Sequence, residues 1–173
     1  MRINSKIIAI FNLLVLGLLL LPLRQLDLFC ENYSTLSLKT EGYLYLLFLG
    51  VMCGILCGYE TMKIHSARNG IIVFFSLLSG VLIPHHVPYD LQGNLHLLLA
   101  YLSASVFTAM TFLNIQKDMR HPLLYGILML GACAAAVSYM QAMMVNCLSE
   151  LVLMSVLLFI NFYLYIQKEK RSV

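Results

Sequence analysis

Residues 7–23 read IIAIFNLLVLGLLLLPL. The run holds no charge and one strongly polar side chain, Asn12. A helix needs roughly 20 mostly apolar residues to cross a bilayer, and this run comes close. A soluble domain could bury such a segment only beneath a polar surface, which the rest of the chain lacks. Of its 173 residues 61% are apolar and 11% are charged, and the mean hydropathy is +0.86. A soluble domain carries about 25% charged residues. The composition therefore predicts an integral membrane protein. It excludes a disordered chain, a nucleic-acid-binding module and a disulfide-rich secreted scaffold.

Five further apolar runs follow, near residues 43–59, 70–83, 95–115, 122–144 and 148–166. The expected fold is all-α, a polytopic six-transmembrane-helix bundle forming a single domain over residues 1–173. The connections are short except for residues 24–41. Arg2 and Lys6 before the first run suggest a signal peptide, but Leu21-Pro22-Leu23-Arg24-Gln25 offers no small-x-small cleavage site. An uncleaved first helix is expected.

Lys and Arg gather on the cytoplasmic side of membrane proteins. With the N-terminus in the cytoplasm, that side holds Arg2, Lys6, Lys63, Arg68, Lys117, Arg120, Lys168, Lys170 and Arg171. The outer side then holds only Arg24 and Lys39. The sequence thus predicts both termini in the cytoplasm and a multi-pass protein of the plasma membrane.

Small residues let helices approach in lipid, where the hydrophobic effect no longer drives them together. Gly50, Gly54 and Gly58 recur every four residues in the second run. Gly126, Gly131, Ala132, Ala134, Ala135 and Ala136 crowd the fifth. These two helices are expected at the tightly packed centre. Such stripes serve either a homodimer seam or packing inside one bundle; six spans supply internal partners, which favours the second. Cys53, Cys57 and Cys133 read as small packing residues. Cys30 and Cys147 fall on the outer side, where a disulfide could tie the first loop to the sixth helix; two free thiols are the preferred reading.

Ionisable groups at membrane depth are costly and mark function. With the spans drawn as above, none carries an Asp, Glu, Lys or Arg in its middle. That argues against a proton-driven pump, an ion-coupled transporter and a voltage sensor. The polar residues gather instead near the outer face, in Pro84-His85-His86-Val87-Pro88-Tyr89-Asp90 and onward to Asn94 and His96. Asp90 or Asn94 could cap the fourth helix. Glu150 lies at the outer start of the sixth. His85, His86, Asp90, His96 and Glu150 are therefore the candidate ligand or metal residues. Zinc accepts His nitrogen and carboxylate oxygen, but no HExxH and no histidine pair at i, i+4 is present. An interfacial loop is the preferred reading, with His96 hydrogen-bonding Glu150 or the loop backbone.

The runs Leu78-Ser79-Gly80-Val81-Leu82-Ile83-Pro84 and Asn94-Leu95-His96-Leu97-Leu98-Leu99-Ala100 resemble the third-to-fourth span of the DRAM/Frag/Sfk-like six-span family. Asn146-Cys147-Leu148-Ser149-Glu150 is similar to the segment before that family's last span, which often carries a Glu. The doubled His85-His86 departs from the pattern. The resemblance implies a non-enzymatic membrane protein linked to lipid organisation.

The expected function is a lipid- or partner-binding membrane protein without catalysis or cofactor. Its expected partners are membrane lipids and a possible membrane protein, with no nucleic acid and the oligomeric state left open. A second reading is a zinc-dependent membrane lipid hydrolase using the outer His and carboxylate residues, which resembles the alkaline-ceramidase type in outline. A third is an accessory subunit of a membrane complex.

Overall fold

The computed structural model describes residues 5–38, 41–84, 90–117, 121–142 and 145–171. Its six helices are α1 (Ser5–Leu20), α2 (Gly42–Ile64), α3 (Ala67–Leu82), α4 (Leu91–Lys117), α5 (Leu123–Ala142) and α6 (Cys147–Arg171). Pro22 lacks an N–H and ends α1 as an α-helix; a 3-10 turn, Leu21–Arg24, continues it. A second 3-10 segment, Tyr33–Leu38, lies in the first loop.

Among the described residues, five segments are long and apolar enough to cross a membrane: Ser5–Arg24, Gly42–Ile64, Leu91–Lys117, Leu123–Gln141 and Cys147–Arg171. The shorter α3 has 16 residues, about 24 Å at ~1.5 Å per residue, against a hydrocarbon core of ~30 Å. Ser66 starts it, accepting the Asn69 N–H at 3.3 Å.

Around an apolar core the bundle also has an apolar exterior, and it buries several polar side chains. Leu13, Leu44, Leu98 and Leu130 point outward. Asn12, Glu60, Thr61, Thr111, Asn114 and Asn161 are buried. Water does not reward that pattern, whereas a lipid surround accepts the apolar exterior and drives polar groups to bond internally.

The closest-packed pair is α2 with α3. The Gly50, Gly54 and Gly58 stripe faces Val81, Phe74 and Gly70. A Cβ on Gly58 would stand 2.9 Å from the Gly70 carbonyl oxygen, so the two backbones nearly touch. The stripe therefore packs within the chain. α5 departs from expectation. It leans on α6 at the periphery, where Gly131 meets Val156. Gly126 has nothing within 4 Å of its Cβ position, and Ala134 and Ala136 are exposed. Small residues permit close approach only where a neighbour exists, and this face of α5 meets none among the described residues.

The second helix also runs past residue 59, where the sequence reading ended it, to Ile64. Glu60 consequently lies in the last third of a helix long and apolar enough to cross a membrane, where the sequence reading places it just beyond the span. The Ile64 and His65 carbonyls at its end accept Lys168 Nζ at 3.1 Å and Lys117 Nζ at 3.0 Å. Two ammonium groups thereby satisfy carbonyls the helix leaves unpaired and complement its dipole.

Candidate functional site

The first loop closes one end of the bundle. Asp27 shapes it by accepting the Phe29 and Cys30 N–H groups at 2.9 and 3.1 Å. Those two backbone bonds hold its carboxyl below the usual carboxylate value. Asn32 and Thr35 exchange hydrogen bonds at 3.0 Å. The loop then docks on the start of α6. Glu31 O accepts Cys147 N at 2.6 Å and Leu28 O accepts Leu148 N at 3.1 Å. These are first-turn N–H groups that have no partner inside their own helix.

Asn146 and Ser149 cap the same helix reciprocally: Asn146 Oδ1 accepts Ser149 N at 2.8 Å, and Ser149 Oγ accepts Asn146 N at 3.2 Å. With α6 fixed, Glu150 Oε2 accepts the Tyr33 N–H at 2.7 Å. Tyr33 is buried and donates its hydroxyl to the Leu19 carbonyl. Burial, followed by the neighbouring Cys147 and Glu150, raises its pKa and keeps the phenol neutral.

Asp90 caps α4: its Oδ1 accepts Gly93 N at 2.5 Å. Six residues on, His96 turns inward and is buried. Its Nδ1 lies 2.7 Å from the Ile83 carbonyl, which can only accept. Nδ1 is therefore the protonated nitrogen. In the neutral ring Nε2 accepts from Ser34 Oγ at 2.9 Å. One imidazole thus ties the end of α3 to α4 and to the first loop.

Beneath the loop lies a cavity of about 190 Å³. Leu46, Leu49, Leu77, Leu153, Met154 and Leu157 make its wall apolar. Tyr33, Ser34, Ser37, His96 and Glu150 supply polar groups to it. An apolar cavity of ~150 Å³ stays dry and admits benzene, so this one has room for a stretch of hydrocarbon.

His96 and Glu150 thus share the cavity, held by neighbouring residues of one loop, Ser34 and Tyr33. Asp90 does not line it and is occupied as a helix cap. His85 and His86 lie outside the described residues. Among the described residues no group of three or more His, Cys, Asp or Glu is placed to hold a metal. Both His96 nitrogens already have partners, so a zinc ion would have to displace one of them. Cys30 is exposed, Cys147 is buried, and both are free thiols.

A second polar cluster lies toward the opposite end, and sequence reasoning missed its ionisable member. Asn161 Nδ2 donates to Thr111 Oγ1 at 2.7 Å, and its Oδ1 accepts Asn114 Nδ2 at 2.8 Å. Asn114 Nδ2 also reaches Thr61 Oγ1 at 3.3 Å. Beside this network Glu60 Oε1 accepts Asn12 Nδ2 at 2.7 Å. The usable sequence signal was Thr61-Met62-Lys63-Ile64, which continues a helix without a breaker. Lys63 could then be read as the first side chain reaching for water.

Compared with family models, curated proteins and solved structures, the chain matches none.

Proposed function

We propose that this chain is a six-span, non-enzymatic protein of the plasma membrane, its two ends in the cytoplasm, that binds a membrane lipid. The observation that carries the reading is the loop-capped cavity, apolar along its wall and polar at Tyr33, Ser34, His96 and Glu150. The hydrocarbon of the lipid occupies the apolar wall. Its headgroup donates to Glu150, whose Oε1 remains beyond the bond that Oε2 makes to Tyr33. The family resemblance fits this placement, since Gly80, Pro84, His96 and Glu150 all line the cavity.

Selectivity comes from the headgroup. A tail gains little on leaving a bilayer, because lipid tails are as apolar as leucine. A hydrogen bond in which one partner is charged, here an ammonium headgroup, contributes about 1.5–3 kcal/mol, or roughly ten- to a hundredfold in affinity. Lipid classes bearing amine or hydroxyl donors are therefore the expected ligands.

Native mass spectrometry of the protein in mild detergent tests this. The wild type should retain one lipid of a donor-bearing class. Glu150→Gln keeps an acceptor for the Tyr33 N–H but sets a donor NH2 in place of the second oxygen, and should lower retention at least tenfold. Equal retention by the variant, or no lipid on the wild type, would refute the proposal.

A further inference from the structure

Glu60 is fully buried, at 0% exposure. Its Oε1 has one partner, the Asn12 amide of α1 at 2.7 Å. Its Oε2 is buried without a hydrogen-bond partner, as are the hydroxyls of Tyr59 and Tyr165. The ionisable groups that sense its charge are Cys57 on its own helix and Tyr165 on α6. Both are neutral acids, and neither supplies a counter-charge. Lys63 is directed at the Tyr59 ring, 5.4 Å from its centroid. Lys6 of α1 is exposed, and Glu169 lies near Tyr165 with the wrong sign.

An ionised carboxylate with one bare oxygen in a dry interior costs far more than one amide hydrogen bond returns. A neutral acid with one imperfect bond costs much less. We propose that Glu60 is a proton-binding site at the junction of α1, α2 and α6, with its exchangeable proton on Oε2. Loss of that proton places a negative charge against Asn12 alone. The seam between α1 and α2 must then admit water. The site lies at the other end of the bundle from the cavity, is separate from lipid binding, and gives the protein a proton-linked change of state.

The test uses the full chain in detergent or nanodiscs. A hydrophobic carbodiimide adds to protonated carboxyls in apolar surroundings, and peptide mapping by mass spectrometry separates Glu60 from Glu150. The wild type should form an adduct on Glu60 whose yield falls as pH rises. Glu60→Gln should reduce it to background, and this variant keeps the oxygen that Asn12 bonds. Asn12→Ala removes the bond that favours the anion, so labelling should persist to higher pH. That shift is a readout a purely structural Asn12 would not give, and it stands even if Glu60→Gln fails to fold. An unlabelled Glu60 in the folded wild type, or a yield independent of pH, overturns the proposal. Protection by sodium at fixed pH overturns it in favour of a cation site.

Discussion

Asn161 shows how a polar side chain in this bundle serves two helices at once. Its amide donates to Thr111 and accepts from Asn114, both on α4, while also bonding the Leu157 carbonyl on its own helix at 2.8 Å. Interhelical bonds in membranes average ~0.6 kcal/mol and reach ~1.7. Replacing Asn161 by Ala removes two of them and should cost roughly 1–3 kcal/mol, read as a lower midpoint in detergent-driven unfolding. His65 offers a pH-dependent counterpart. Burial and then Lys117, Arg68 and Lys168 hold its imidazole below the ordinary value. The folded chain therefore binds this proton less readily than the unfolded one. The stability linked to His65 is present above its unfolded pKa of about 6.5 and is lost as pH falls toward the lowered folded value. Thermal melts should show that acid-side loss, and His65→Gln should flatten it.

The two glycine-bearing helices make opposite predictions at the scale of the element. A methyl group at Gly58 meets the Gly70 carbonyl at 2.9 Å and Phe74 Cβ at 3.2 Å. Backbone cannot step aside as a side-chain tip can, so Gly58→Ala should cost about 1–3 kcal/mol by overpacking. Gly126→Ala meets open space and replaces the poorer helix former, so its unfolding midpoint should stay level or rise slightly. Composition alone ranked these helices together, because counting small residues along one helix says nothing about which neighbour it faces. The apolar runs themselves were legible, since lipid selects length and hydropathy directly. Their ends were less so: Glu60 was passed over because a hydropathy reading stops where polar residues begin, whereas the backbone continues as long as its bonds do. Asp90 was readable as one of two caps, and its carboxylate is the one that reaches an N–H three residues on. The pairing of His96 with Ser34, and of Glu150 with Tyr33, spans 62 and 117 residues of sequence. No local pattern encodes such contacts. They follow from the first loop folding down onto the bundle.

Across the whole molecule the two ends differ in charge and in accessible thiols. Lys63, Arg68, Lys117 and Lys168 lie at the end opposite the capping loop, where each basic group near an anionic leaflet contributes about 1 kcal/mol. That asymmetry supports the proposed topology, with the loop, Glu150 and His96 toward the outside. The cysteines make it testable without introducing a label. Cys53, Cys57 and Cys147 are buried. Cys133 is exposed only along α5, on a segment apolar enough to lie within the membrane. Cys30, exposed in the capping loop, is the native thiol that a water-borne reagent should reach. A membrane-impermeant maleimide should therefore label intact cells expressing the wild type, and Cys30→Ser should abolish the signal. Inside-out vesicles should stay unlabelled. The reverse pattern would invert the whole bundle. It would place the basic end outside and the lipid cavity on the cytoplasmic leaflet.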